Sequence, residues 1–482
     1  MSTLTRHFID NAWVESRATR CLDVLDPYRQ TRIATVTAGD PADVNDAVAA
    51  ARRALAGWRD LPGERRGRFI DAIADALEAR RASLVELSSR NNGKPLTEAD
   101  QDLADAIDCY RYYAGEARVL DARQGEAVAT GEADMVSRRY QDPVGVAGLI
   151  TPWNFPLVSS AWKVAPALAA GCTVVFKPSE VTPLPEQALA EIALEIELPP
   201  GVFNLVHGDG RGVGEALTAH PGVDKLSFTG SNPVGEAVMA AAARGTRNVS
   251  LELGGKSPIL VTEDADPDLA AELVLAGFAY NAGQMCSATS RLLVHESLAD
   301  TLHERLDAAI ADLVPGNPLD NATTLGPLVN TAQYERVLGY LAAAEQEGLD
   351  AGSAPVSPLP DHGYFIAPRV FRDVPTTSRL WREEIFGPIL CARRVTSDDE
   401  AIALANDSAF GLAATVVTGD KGRATDIAAR LQAGNVWCNT HQVAPPGLGW
   451  GGMKGSGIGR ELGRAGLDAY LEMRHVTLAN NI

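Results

Sequence analysis

From residue 144 onward, short apolar runs alternate with stretches whose apolar positions recur every three or four residues. The runs 144–150, 173–176, 202–206, 225–228 and 249–251 read as strands, and 162–170, 186–195, 214–219 and 234–243 as helices. Strict strand-helix alternation predicts a doubly wound parallel sheet. A second series opens with a strand over 257–261. It continues with helices over 267–280, 298–313, 331–347, 399–406 and 423–431, and strands over 290–294, 412–417 and 435–438. This predicts a second α/β domain. Ahead of both, residues 41–113 read as helical, with the clearest spacing over 44–56, 65–79 and 83–90. Two short alternating segments, 135–140 and 470–478, fall outside both series and are suited to pair as an added sheet, including one between subunits. The stretch 348–360, rich in Pro, Ser and Gly, reads as a surface loop.

Composition narrows the function classes. The 482 residues are 46% hydrophobic and 22% charged, enough for two or three domains with large cores. The formal net charge of −19 gives no long-range attraction to nucleic acid or anionic lipid, so neither is an expected partner. Such acidity favours a neutral or cationic substrate, and it serves solubility equally well. No apolar run approaches the roughly 18 residues of a membrane span, and the first residues lack a secretory apolar region. Six scattered cysteines without a CxxC fit a reducing cytoplasm, and the eight histidines lack metal-ligand spacing, so no metal is expected.

Against that background, two segments carry chemistry. Cys286 sits in Asn281-Ala-Gly-Gln-Met-Cys286-Ser-Ala, a polar, Gly-marked setting unlike a core strand. Glu252 ends an apolar strand and is followed by Gly254-Gly255. A carboxyl there is costly to bury unless paired or functional, and desolvation would raise its pKa toward that of a general base; capping the next segment is the plain alternative. Thr151-Pro-Trp-Asn154-Phe-Pro156 joins a strand to a helix. Its Asn154 amide is placed either to donate to an oxyanion or to close an Asx-turn. Phe228-Thr-Gly230-Ser231-Asn232-Pro233 opens a helix, with Asn232 expected at the cap and Pro233 at the first helical position, a plausible pyrophosphate seat. Lys177 and Glu180 follow a strand, where open α/β sheets bind ligands; Glu180 suits a ribose and disfavours a 2′-phosphate, although a solvated ion pair is equally consistent. The glycines between 208 and 214 read mainly as a turn.

Seven collinear segments, 151–156, 177–180, 228–235, 251–256, 284–287, 383–388 and 457–463, resemble the NAD(P)-dependent aldehyde dehydrogenase superfamily. The resemblance implies a Rossmann-like doubly wound cofactor domain (1–123 and 143–253), an α/β catalytic domain (254–455) and a small oligomerisation β-sheet (124–142 and 456–482), assembled as a homodimer or homotetramer. It makes Cys286 the nucleophile, with Asn154 and the Cys286 N–H as the oxyanion hole. Glu252 activates the deacylating water, and Glu461 relays protons. NAD would lie along Trp153, Lys177, Ser179, Glu180, Gly230, Ser231, Gly254, Glu384 and Phe386.

The segments around Trp450 and Cys286 resemble the betaine-aldehyde and aminoaldehyde branch, whose members hold cationic head groups with aromatic side chains. Phe155, Trp162, Tyr280 and Trp450 are the matching positions. Phe155 and Tyr280 stand where several members carry Tyr and Trp, and the loop 442–449 differs. Asp105 and Asp108 lie one turn apart, either as an exposed helix face or as charge at an entrance. A general aliphatic or aromatic aldehyde, or a semialdehyde, is the alternative substrate; a thioesterase using the same pair is the alternative activity.

Overall fold

The structure, a computed structural model, describes residues 2–4, 6–352 and 358–479. An eight-stranded sheet runs in the order Gly457–Ile458, Asn248–Glu252, Lys225–Thr229, Val146–Ile150, Thr173–Lys177, Phe203–Leu205, Arg6–Ile9, Ala12–Glu15. Its five middle strands are parallel, and its flanks close with antiparallel pairs. Every residue of Val146–Ile150 and Thr173–Lys177 is buried, as a parallel sheet covered on both faces requires.

The parallel part of this sheet starts at Val146–Ile150 and works outward through Thr173–Lys177 and Phe203–Leu205. The chain then returns to Lys225–Thr229 on the other side of the starting strand and ends at Asn248–Glu252. The order therefore reverses between Val146–Ile150 and Lys225–Thr229. Loops leaving the carboxyl ends of such a pair diverge, and a crevice opens between them.

A second sheet holds six parallel strands, ordered Arg369–Phe371, Ile389–Val395, Arg291–His295, Pro258–Val261, Ala413–Val417, Asn435–Cys438. The first two have no counterpart among the expected strands. Ile389–Val395 ends in Arg393 and Arg394, which break its apolar run. The separate small sheet is as expected: Met135–Pro143 pairs antiparallel with Leu471–Ala479 and also with Glu126–Val128.

Elsewhere the pattern misleads in identifiable ways. The N-terminal strands Arg6–Ile9, Ala12–Glu15, Cys21–Asp26 and Thr31–Thr37 are polar and partly exposed, so no apolar run announces them. The helix expected over 162–170 begins six residues earlier, as Pro156–Ala170, with Pro156 in its first turn. All of its residues except Trp162 are buried, and a helix that is apolar all round has no periodic edge to mark its start. The helices Gly63–Ala79 and Leu96–Leu120 pack together over this buried helix, and the latter runs past the expected limit at 113. Of the loop expected over 348–360, residues 353–357 lie outside the described residues, and Ala351 bridges to Phe371.

Two strands of the first sheet are striped. Lys225, Ser227 and Thr229 stand in register with Asn248, Ser250 and Glu252. The intervening Leu226, Phe228, Val249 and Leu251 join an apolar core on the opposite face. The period of two thus places Glu252 at the end of a polar lane inside the protein.

Candidate active site

Glu252 ends its strand at 3% exposure. Its Oε1 accepts the Trp450 indole N–H at 3.0 Å. Burial pushes the carboxyl well above the usual carboxylate range, and the charge of Glu461 adds to the shift. The glycines that follow allow two close approaches. A Cβ on Gly254 would stand 2.5 Å from the Glu384 carboxylate, and one on Gly255 would strike the Cys286 carbonyl. Side chains here would force the loop of Cys286 off the strand that carries Glu252.

That loop is bent by backbone geometry. After the helix Pro267–Ala279, Asn281, Ala282 and Gly283 all adopt positive φ (49°, 51° and 74°). Left-handed Ala282 is strained, and a Cβ on Gly283 would collide with the Gly387 carbonyl. The reversal delivers Cys286 to a cavity of about 790 Å³ that also receives Glu252 and Asn154. Burial pushes the Cys286 thiol well up, Glu252 and Glu384 push it further, and the backbone N–H groups of Ser287 and Cys286 oppose the shift.

Asn154 bonds across the site rather than back to its own turn. Its Nδ2 donates to the Gln284 carbonyl at 3.0 Å, leaving one N–H of the amide for another acceptor. Its carbonyl accepts from Lys94 Nζ and Asn281 Nδ2, both at 3.0 Å.

Of the positions assigned to a cofactor, Trp153, Gly230, Ser231, Gly254, Glu384 and Phe386 line the same cavity. Trp153 and Phe386 meet edge to face at 5.3 Å. Glu384 accepts the Gly255 N–H at 3.0 Å, and burial raises its carboxyl to about 7. Lys177, Ser179 and Glu180 lie outside the cavity lining, Lys177 as the last residue of the strand Thr173–Lys177 and the other two just beyond it. Lys177 Nζ contacts Glu180 at 3.1 Å, and Ser179 Oγ accepts the Val181 N–H. The cap of the helix Asn232–Ala243 is Ser231, one residue before the expected Asn232. Ser231 makes no capping bond, whereas Asn232 donates to the Gly455 carbonyl at 2.6 Å.

Glu461 is buried in an ion pair with Lys163, and Ser227 Oγ donates to it at 3.3 Å. The four aromatic candidates all line the cavity. Phe155 and Tyr280 are nearly parallel, 6.4 Å apart at 8°, and Trp162 packs on Trp450 at 5.3 Å. Trp450 is buried, and its N–H is committed to Glu252, so it braces that carboxyl as well as walling the cavity. Asp105 and Asp108 are exposed, as a helix face would be, and they also line the cavity.

Several residues that shape this site escape a reading by sequence. Lys94, Asp102, Asn281 and Gln284 form its supporting bonds, and Ser287 is tied to Gln442 at 2.6 Å. His441 also lines the cavity, with burial lowering its ring to about 4. Only Lys163 gives a signal, as a lone charge inside an otherwise apolar helical run.

The fold and the cavity are those of an α/β enzyme with a thiol at the head of a deep cleft. The chain belongs to the aldehyde dehydrogenase family, whose model matches residues 13–476. A chloroplastic aminoaldehyde dehydrogenase of Arabidopsis thaliana is 44% identical over 479 residues, covering 98% of this chain and 95% of that relative. The chloroplastic betaine aldehyde dehydrogenase of Beta vulgaris is 42% identical over 481 residues, with 98% and 95% covered. Betaine aldehyde dehydrogenase of Staphylococcus aureus, solved in complex with NAD+, superposes with a TM-score of 0.96 at 38% identity, covering 99% of this chain and 95% of that one. Among the described residues no group of three or more His, Cys, Asp or Glu is placed to hold a metal, and no helix is long and apolar enough to cross a membrane.

Proposed function

We propose that this enzyme oxidises a cationic aldehyde, an aminoaldehyde or betaine aldehyde, to its carboxylic acid with NAD. The observation that carries the reading is the single cavity that gathers Cys286, Glu252 and Asn154 with Trp153, Gly254 and Glu384.

The residues fit a dinucleotide. The crevice lies where the strand order reverses, Ser231 leaves its helix N-terminus uncapped, and Gly254 opens a cradle that a Cβ would fill. Ser231 would hold the pyrophosphate, Glu384 and Phe386 the nicotinamide end, and Lys177 and Glu180 the adenosine ribose, with Trp153, Ser179, Gly230 and Gly254 along the way. The chemistry NAD supplies when bound is acceptance of the hydride that turns the Cys286 adduct into a thioester.

Cys286 Sγ adds to the aldehyde carbon once its proton is lost, because the thiolate is the nucleophile. The free N–H of Asn154 and the Cys286 N–H then hold the oxyanion; one such donor is worth about 3 kcal/mol. Glu252, protonated more readily than an exposed carboxyl, takes the proton of the water that cleaves the thioester. Glu461, ion-paired with Lys163, would pass that proton on.

The substrate class follows from the mouth of the cavity. Asp105 and Asp108 supply negative charge, and Phe155, Trp162 and Tyr280 supply ring faces; cation–π contacts contribute about 1–2 kcal/mol each when desolvated. Residues 1–123 and 143–253 would form the cofactor domain, 254–455 the catalytic domain, and 124–142 with 456–482 the oligomerisation segment. The small sheet exposes Met473 (62%) and Leu478 (57%), which suits burial in a homodimer or homotetramer. Six free cysteines suit a reducing cytoplasm.

The test is NADH formation across betaine aldehyde, 3-aminopropanal, 4-aminobutanal, succinic semialdehyde and benzaldehyde. The cationic aldehydes are expected to exceed the others in kcat/KM by about tenfold or more, the worth of one or two desolvated cation–π contacts. Preference for succinic semialdehyde or benzaldehyde overturns the substrate class, and absence of NADH with all of them overturns the activity.

A further inference from the structure

Lys94 enters the site from the turn before the helix Leu96–Leu120, where Ser89 Oγ fixes its carbonyl at 2.7 Å. It is 1% exposed. Its ammonium pairs with Asp102, donates to the Asn154 carbonyl at 3.0 Å and lies 4.1 Å from the centre of the Phe155 ring. The second bond to the Asn154 carbonyl comes from Asn281, in the loop that bears the nucleophile. Asn92 Nδ2 holds the neighbouring Trp153 carbonyl at 2.9 Å. The turn that presents the Asn154 amide is thus clamped through its backbone, by Asn92 and Lys94 on one side and by Asn281 and Thr182 on others.

Asp102 also lines the cavity, beside Asp105 and Asp108, so three carboxylates stand within reach of a cationic head group. They differ in what they already hold. Asp102 is 6% exposed and bound to a buried ammonium, whereas Asp105 and Asp108 are exposed, and Asp105 accepts from the Gln101 amide at 2.8 Å. Taking Asp102 from Lys94 would strand a buried charge, which costs several kcal/mol.

We propose that Lys94 and Asp102 are a positioning pair that sets the Asn154 amide for the oxyanion, and that Asp102 is thereby withdrawn from head-group recognition, leaving that task to Asp105 and Asp108. The inference rests on the reading of Asn154 as an oxyanion donor. A carbonyl held by an ammonium and an amide has little freedom to rotate, and misplacement of a reacting partner by about 1 Å costs on the order of a hundredfold in rate.

The experiment uses the full-length enzyme with NAD. It measures the single-turnover rate of NADH formation with one cationic aldehyde (4-aminobutanal) and one neutral aldehyde (hexanal). The variant K94Q/D102N removes both charges together, so no lone buried charge remains; N154A and D105N accompany it. Alkylation of Cys286 by iodoacetamide, which develops no oxyanion, reports whether the nucleophile loop is intact. K94Q/D102N is expected to slow NADH formation with both aldehydes by about tenfold to a hundredfold, with KM for each aldehyde and the alkylation rate unchanged. D105N is expected to raise KM for 4-aminobutanal alone.

An unslowed K94Q/D102N beside a slowed N154A overturns the inference and leaves the proposed function standing. A loss confined to 4-aminobutanal returns Asp102 to the head group and also overturns it. Equal losses in turnover and alkylation, or failure of the variant to fold, make the pair structural and overturn it too. If N154A is itself unslowed, the oxyanion role of Asn154 falls and the inference falls with it.

Discussion

At the scale of single residues, the site is governed by desolvation. Cys286, Glu252 and Glu384 are all shifted in the direction that favours the protonated form, with burial as the leading cause in each case. A thiol in such a place rests protonated, so its reactivity must rise with pH. Alkylation of Cys286 by iodoacetamide, followed against pH without NAD, is expected to climb past the ordinary thiol pKa of about 8.5. A midpoint at or below that value contradicts the setting of this half-buried thiol beside two carboxyls. Cys286 and Glu252 were legible as residues because each is chemically out of place in its segment. Lys94 and Asp102 were not, because a Lys in a turn and an Asp on a helix are ordinary until the fold buries both. Trp450 was legible as an aromatic wall, but its bond to Glu252 depends on an antiparallel bridge between Trp450 and Glu461 that local pattern does not encode.

At the scale of elements, the strands Val146–Ile150 and Thr173–Lys177 were legible because burial on both faces leaves an unbroken apolar run. The reversal at Asn281–Gly283 was not, since a left-handed Ala is imposed by tertiary contacts against its own preference. The helix Leu96–Leu120 brings Glu98 against that reversal, where the carboxylate accepts the Asn281 N–H at 2.9 Å. Burial raises Glu98 to about 8 from an ordinary 4.5. Between those values the folded protein keeps a proton that the unfolded chain releases, so this group's contribution to stability falls as pH rises. Glu98→Gln keeps the acceptor and removes the titration. The melting temperature of the variant relative to the unmodified enzyme is therefore expected to increase from about pH 5 to about pH 8. A difference that stays flat or shrinks over that range contradicts the buried setting of Glu98.

At the scale of the whole molecule, the cavity is assembled from segments spread between residues 101 and 461, contributed by the surroundings of both large sheets. Strand-helix alternation and seven collinear motifs were enough to anticipate the two sheets and the family. The convergence of those motifs on one cleft depends on the reversal of strand order and on Gly254 and Gly255, whose bare backbones let the second half of the chain close over the first. The net charge of −19 adds a field that favours cationic ligands over the whole surface. All of this serves one claim, that Cys286 carries the substrate as a thioester. The most direct measurement is intact-protein and peptide mass spectrometry after mixing Glu252→Gln with NAD and 4-aminobutanal. With the carboxyl proposed to activate water removed, the expected result is one acyl group per chain, confined to the Cys286 peptide and absent from Cys286→Ala. NADH formed with no acyl mass on Cys286, or an acyl group on another residue, would contradict the account.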